Sequence, residues 1–262
     1  MPMNHPLLSL RDGPVARLRL NRPELHNAFD AVLIAALTGA LEAVGADPGV
    51  RVVVIEGEGA SFSAGADLNW MRGMAQAGEA ENREDSLALA RLMRPLNELP
   101  KPTLARVHGA AFGGGVGLVA CCDIAIAAPE AKFGLTESKL GLLPAVISPY
   151  VIEAIGARQA RRWFATAEIF EAATAQAIGL LHQVVPNYRL DEAVDKQIGL
   201  LLKAGPHAAA TAKALVRRVA GERDGARLDQ DNAALIASLR VSTEGQEGLS
   251  AFLDKRKPGW VE

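Results

Sequence analysis

The run Val52-Val53-Val54-Ile55 and the loop after it, Ser61-Phe62-Ser63-Ala64-Gly65-Ala66-Asp67-Leu68, decide how this chain is read. Four successive β-branched residues without a polar break predict a strand covered on both faces, as strands of a parallel sheet are. The loop follows a Gly-rich turn and is made of small residues, so a ligand can press against its backbone and find free N–H donors. A second segment of this kind is Gly109-Ala110-Ala111-Phe112-Gly113-Gly114-Gly115-Val116-Gly117-Leu118, leading from a strand expected at Thr103–Val107 into an apolar helix. A helix N-terminus presents unpaired N–H groups and a partial positive charge, which suits an oxyanion. Two such loops at neighbouring strand ends can give one N–H each to the same oxygen. Loss of one oxyanion donor typically costs roughly 10²- to 10³-fold in rate.

Outward from these loops, strand and helix signals alternate. Val15 to Leu20 alternates apolar residues with arginine, the pattern of a half-buried strand. Asp30 to Val44 places Leu33, Leu37, Leu41 and Val44 on one helical face, with Asp30 as N-cap. A long helix is expected over Glu79 to Leu99, with Pro95 kinking or ending it. Further strands fall at Ile124–Ala127 and Gln183–Val185. From Asp191 onward the signal is helical, closing with Thr243–Lys257, whose Thr243 and Gln246 have capping-box spacing. The expected fold class is therefore α/β, with a core over residues 1–190 and a helical C-terminal region over residues 191–262.

Composition removes several classes of partner. A net charge of −2, with both signs spread along the chain, leaves no footprint for nucleic acid or an anionic membrane. No apolar run approaches the roughly 18 residues needed to span a bilayer. The opening Met1-Pro2-Met3-Asn4-His5-Pro6 lacks a basic segment followed by an apolar one, so a cytoplasmic location is expected. Cys121 and Cys122 read as buried, reduced thiols. His5, His26, His108, His182 and His207 are scattered without metal-ligand spacing, so no metal is expected. Gly115-x-Gly117-x-x-Ala120 fits a dinucleotide fingerprint, but His108 to Gly114 intervene between it and the strand, where a tight turn belongs. Neither a Gly-Lys-Ser/Thr phosphate loop nor a G-x-S-x-G elbow is present.

Taken in order, the segments resemble the enoyl-CoA hydratase/isomerase (crotonase) superfamily across nearly the whole chain. They are Leu20-Asn21-Arg22-Pro23 with Asn27-Ala28-Phe29, Phe62 to Leu68, and Gly113-Gly114-Gly115 with Cys122-Asp123-Ile124-Ala125. Phe133-Gly134-Leu135-Thr136-Glu137, Leu140-Gly141 and Phe252-x-x-Lys255-Arg256-Lys257-Pro258 complete the likeness. The resemblance implies a spiral of ββα units with a helical trimerisation region, as a homotrimer or a dimer of trimers. It implies that the N–H groups of Ala66 and Gly114 hold an acyl-CoA thioester oxygen as it becomes an enolate oxygen, with Glu137 as catalytic acid/base. Ala64, Asp67, Leu68, Leu25 and His26 fall where the family meets coenzyme A. Lys255 resembles a lysine that meets the nucleotide phosphates, often from a neighbouring subunit, although a terminal-helix lysine is a solvated charge in most proteins. No cofactor is implied, since coenzyme A enters as part of the substrate.

One departure matters. Hydratases of the superfamily usually carry a second glutamate, which would fall at Gly117. Hydration needs a base for water and an acid for Cα, and paired carboxylates supply both. With Glu137 alone, three readings stand: a hydratase, an isomerase shuttling a proton between Cα and Cγ, and an acyl-CoA binder without turnover. The segments Phe62 to Met71 and Leu142 to Tyr150 resemble bacterial methylglutaconyl-CoA and isohexenylglutaconyl-CoA hydratases, which favours hydration. Such substrates carry a remote carboxylate. Arg72, Arg91 and Arg94 lie in the right stretch to meet one, though a solvated helix face is the ordinary role for each.

Overall fold

The computed structural model describes residues 5–261; Met1 to Asn4 of the opening segment lie outside them. Strands β1 (Leu7–Asp12) and β2 (Val15–Leu20) form an antiparallel hairpin at the edge of the main sheet. Beyond β2 the sheet is parallel through β3 (Val52–Gly57), β4 (Thr103–Val107), β6 (Ile124–Ala127) and β9 (Gln183–Val184). The sequence signals find every strand of this sheet except β1, whose residues from Ser9 to Asp12 are exposed and carry little hydrophobic contrast.

Strand β3 explains why both faces are apolar. Val53 and Ile55 enter the main core with α1 (Ala31–Ala46), α3 (Glu79–Glu98) and α4 (Gly114–Cys121). Val52 and Val54 face the other way, against Leu190, Ala193, Val194 and Ile198 of α7 (Leu190–Lys203). Helix α1 begins as expected: the Asp30 carboxylate accepts from the Leu33 N–H at 2.8 Å. Helix α3 runs on through Pro95 to Glu98 instead of ending there. The proline lies in the last turn, and the burial of Leu92, Met93 and Leu96 around it holds that turn against the core.

A second, smaller layer holds β5 (Ala110–Phe112), β7 (Lys132–Gly134) and β8 (Ile169–Glu171). Two isolated parallel bridges, Ser63 to Ala111 and Phe29 to Ala66, extend this layer toward the N-terminus. Each turn of the chain thus gives a strand to the main sheet, a short extended piece to the second layer, then helix. β4, β5 and α4 make one such turn. β6, β7 and α5 (Ser148–Thr166, broken at Gly156, φ 76°) make the next. This is the ββα spiral that the sequence led us to expect.

The C-terminal part is helical: α6 (Ala172–Ala177) precedes β9, and α8 (Pro206–Gly221), α9 (Gly225–Val241) and α10 (Thr243–Leu253) follow α7. Two details of α10 correct the sequence reading. Its cap is Ser242, whose hydroxyl accepts from Gly245 N–H at 3.0 Å, and Gln246 bonds the Arg240 carbonyl instead of closing a capping box. It ends at Leu253, so Lys255 follows the helix in a left-handed conformation, φ 55°. Helices α8 and α9 carry no buried residue, although an ion pair from Lys213 to Asp123 (2.9 Å) ties α8 to the core. No helix among the described residues is long and apolar enough to cross a membrane.

Candidate active site

Three consecutive turns of the spiral bring their second-layer ends together. On the first, Ser63 N–H donates to the Ala110 carbonyl (3.0 Å) and Phe112 N–H donates to the Ser63 carbonyl (2.9 Å). That pairing lays the loop 61–67 alongside β5. The backbones approach so closely that a Cβ on Gly65 would meet the Phe112 carbonyl oxygen at 2.9 Å, and one on Gly115 the Ser63 carbonyl oxygen at 2.6 Å. Glycine at both positions is what allows the two loops to touch. From the next turn, Gly113 N–H donates to the Gly134 carbonyl at 2.9 Å, drawing in β7 and the short 3₁₀ turn Thr136–Leu140 that carries Glu137.

Within this junction the N–H groups of Ala66 and Gly114 have no acceptor among the described residues. Gly114 is the first residue of α4, where the helix leaves its N–H groups unpaired. Ala66 is exposed and Gly114 half-buried, so an oxygen can reach them. Gly113, at φ 49°, turns the chain into the helix. The Glu137 carboxylate lies over that turn: a Cβ on Gly113 would meet Oε1 at 3.1 Å. Oε2 is buried without a hydrogen-bond partner. Burial pushes the Glu137 carboxyl above its ordinary value, and its own backbone N–H only partly offsets this. The arrangement therefore offers two free N–H donors beside one carboxyl group that burial holds toward its neutral form.

A family model described as enoyl-CoA hydratase/isomerase matches residues 11–262. The chain belongs to that family. It is 34% identical over 258 residues to a crotonyl-CoA hydratase of Syntrophomonas wolfei, covering 96% of each chain. To a 2,3-dehydroadipyl-CoA hydratase of Escherichia coli it is 34% identical, covering 96% of this chain and 97% of the other. The crystal structure of an enoyl-CoA hydratase from Shewanella pealeana superposes with a TM-score of 0.95 at 44% identity, covering 98% of this chain and 97% of that one.

Around the junction, the family's other expected contact residues are placed as follows. Leu25 and His26 are exposed on a left-handed turn, and the His26 ring nitrogen Nδ1 lies 3.0 Å from the Ser61 hydroxyl. The His26 carbonyl accepts from Ala64 N–H at 2.9 Å, so this turn and the loop 61–67 form one edge. Leu68 is 69% exposed. Asp67 is different, because its carboxylate is engaged inside the protein. One oxygen caps α2 (Leu68–Gln76) by accepting from Asn69 and Trp70, and the other meets Arg22 at 3.1 Å. Burial raises the Asp67 carboxyl, and the N–H groups of Trp70 and Asn69 with the Arg22 guanidinium bring it below its ordinary value. Helix α2 itself was not foreseen; the acid that starts it reads as part of the loop. Lys255 is exposed beyond α10.

Position 117 is closed. A Cβ on Gly117 would meet Ile147 Cγ2 at 2.4 Å and Met93 Cε at 3.1 Å. Two hydrophobic side chains, from α3 and from the segment before α5, occupy the space a second carboxylate would need. Gly115, Gly117 and Ala120 all lie within α4, which leaves the dinucleotide fingerprint without its strand-to-helix turn. Arg72 donates to Asn69 at 2.6 Å and Arg91 pairs with Glu84 at 2.8 Å, both on exposed faces; Arg94 meets Tyr150. Also on α3, Glu81 accepts from the Gly78 N–H, and burial raises the Asp85 carboxyl, to which Trp70 Nε1 donates at 3.0 Å.

An open cleft of about 490 Å³ lies elsewhere, lined by Arg17, Arg19, Glu56, Arg106, His108 and Asp191. Its arginines are cross-paired with Glu56, Glu58, Asp191 and Asp195, and Glu137 is not among its walls. Unpaired donors and an unpartnered carboxylate make the Glu137 junction the candidate site. Cys121 and Cys122 are free and buried, and burial pushes the Cys122 thiol up to about 12. No cluster of metal-ligating side chains occurs among the described residues.

Proposed function

We propose that this protein is an enoyl-CoA hydratase in which Glu137 is the only catalytic carboxylate. The observation that carries the reading is the orphan Oε2 of Glu137, buried beside the free N–H groups of Ala66 and Gly114. The thioester oxygen of a 2-enoyl-CoA receives both N–H groups, so negative charge gathers there as water adds at Cβ. Glu137 takes a proton from that water and returns one to Cα, closing the cycle without a second acid. Burial raises the Glu137 carboxyl above its ordinary value, which makes the carboxylate a stronger base toward water and its acid form better matched for returning a proton to Cα. The filled space at Gly117 and the hydratase names of the relatives support one carboxylate doing both jobs.

The same reading assigns coenzyme A, carried in as part of the substrate, to the edge formed by Leu25, His26, Ala64, Asp67 and Leu68, with Lys255 at the nucleotide phosphates. No further cofactor enters. Likeness in the segments Phe62 to Met71 and Leu142 to Tyr150 favours a methylglutaconyl-type acyl group, and one relative is named for the thioester of another dicarboxylic acid. Residues 191–262 serve association into a homotrimer or a pair of trimers in the cytoplasm. The bare faces of α8 and α9 and the exposed Val216, Val241, Phe252 and Leu253 support this role.

Turnover of crotonyl-CoA and methylglutaconyl-CoA in heavy water tests the reaction class. A 3-hydroxyacyl product with deuterium at Cα is expected. A shifted double bond without added oxygen identifies an isomerase and overturns the reading, as does the absence of any product from a panel of enoyl-CoA thioesters.

A further inference from the structure

The two candidate oxyanion donors come from different turns of the spiral, yet one residue touches both. Phe29 N–H donates to the Gly65 carbonyl at 2.6 Å, and the Phe29 carbonyl accepts from Asp67 N–H at 2.8 Å. These bonds flank Ala66 on either side and fix the peptide whose N–H belongs to Ala66. The Phe29 ring, with the residue only 2% exposed, lies against the backbone of Gly114: a Cβ there would meet Cε2 at 2.8 Å and Cδ2 at 3.0 Å. Backbone to one donor and ring to the other, Phe29 spans the gap between them.

Its own position is held from both sides. Arg22 donates to the neighbouring Ala28 carbonyl, and its Nη2 meets Asp30 Oδ2 at 2.9 Å and Asp67 Oδ2 at 3.1 Å. Asp30 caps α1 and Asp67 caps α2, so one guanidinium joins the starts of both helices that bracket the Phe29–Ala66 bridge. We infer that Phe29 is a positioning residue that sets the separation of the Ala66 and Gly114 N–H groups. The inference rests on the proposal that these two groups hold the thioester oxygen. The ring cannot yield toward Gly114, because the glycine already presents its bare Cα. A smaller side chain leaves room for α4 to slide toward the loop 61–67, and two donors that shift apart or together no longer converge on one oxygen. Misplacement of reacting groups by about 1 Å can cost on the order of 10²-fold.

The test uses crotonyl-CoA isotopically labelled at the thioester carbonyl, bound to the full-length protein in a Glu137→Gln background that blocks turnover. The carbonyl stretch is read by infrared difference spectroscopy, because a held oxygen lowers its frequency. Phe29→Leu is placed in that background and in the parent, with Leu41→Ala as a control for core damage, since Leu41 is fully buried in α1 away from the junction. Phe29→Leu is expected to lose most of the downshift and to lower kcat by about 10- to 10²-fold with KM nearly unchanged. Leu41→Ala is expected to lower the melting temperature and keep the full downshift. A Phe29→Leu protein with the full downshift overturns the inference, whether its kcat is parental or has fallen only in step with its melting temperature. No downshift in the Glu137→Gln protein itself would instead sink the oxyanion assignment on which the inference rests.

Discussion

Replacing Glu137 by glutamine probes the centre of the mechanism, and the structure fixes several consequences at once. The substitution keeps the shape, removes the titrating group, and places an amide where Oε2 has no partner. Loss of a general acid/base costs about 10²-fold or more, equivalent to roughly 2.7 kcal/mol in the barrier. The parent's kcat/KM, followed by the loss of enoyl-thioester absorbance, should fall on the acid side as Glu137 is protonated. Because burial raises that carboxyl, the limb should lie above the ordinary glutamate value of about 4.3. Glu137→Gln should show no such limb. Stability follows from the same shift with a definite sign. A carboxyl whose folded value is raised contributes most below its unfolded value, and that contribution is lost as pH rises through the folded one. Glu137→Gln should therefore melt at or above the parent at neutral pH, with the gap closing as pH falls through the raised folded value toward about 4.3. Parental turnover in the folded variant would refute the mechanism. A variant that melts well below the parent at neutral pH would refute the claim that the carboxylate lacks a partner.

Other perturbations address the surroundings. Gly117→Glu should not add a second catalytic acid: its Cβ meets Ile147 at 2.4 Å, so overpacking costs about 1–3 kcal/mol, read as a lowered melting temperature without gain in hydration. Adding Ile147→Ala should recover part of that loss, and an unchanged melting temperature in the single variant would contradict the packing described. Arg22→Gln breaks a largely buried pair and should cost about 3 kcal/mol at neutral pH by chemical denaturation. Because Asp67 is held low, its contribution is present above the ordinary carboxylate value and is lost as pH falls through the folded one, so the deficit should shrink on acidification. Lys255→Ala should raise KM for acyl-CoA with kcat nearly intact, the pattern of lost uniform binding, and leave turnover of short pantetheine thioesters unchanged. An equal loss on both substrates would place Lys255 in folding or assembly.

How far the sequence speaks depends on the range of the contact. The buried strands were legible because Val52 to Ile55 fill both faces, and α1 because its leucines keep helical spacing above an acid cap. The loops around Ala66 and Gly114 stood out because small residues are rarely packed so densely outside a site. Strand β1 gave no such signal, since its exposed half is held by pairing with β2 and by the Arg11–Asp47 ion pair, neither of which leaves an apolar pattern. The extent of α3 was legible, but whether Pro95 ended it was not, because the proline's cost is local while the packing that offsets it comes from α1 and α4. Nothing in the spacing of Gly117 and Ile147, or of Arg22, Asp30 and Asp67, announces that they meet.

The spiral itself accounts for why the groups proposed to react collect where they do. Ala66 ends the second-layer piece of one turn, Gly114 follows the end of β5 on the next, and Glu137 follows the end of β7 on the one after. Successive turns stack in parallel register, so residues at equivalent positions fall side by side without long-range adjustment. In the proposed mechanism, a donor, a donor and a proton carrier are then three uses of one structural position. The same stacking explains why the fold accepts glycine at position 117. That residue lies one helical turn past Gly113, inside α4, where it faces Met93 and Ile147 instead of the junction of second-layer ends. A glycine there leaves the two donors and Glu137 in place, because position 117 packs on Met93 and Ile147 and not on the junction.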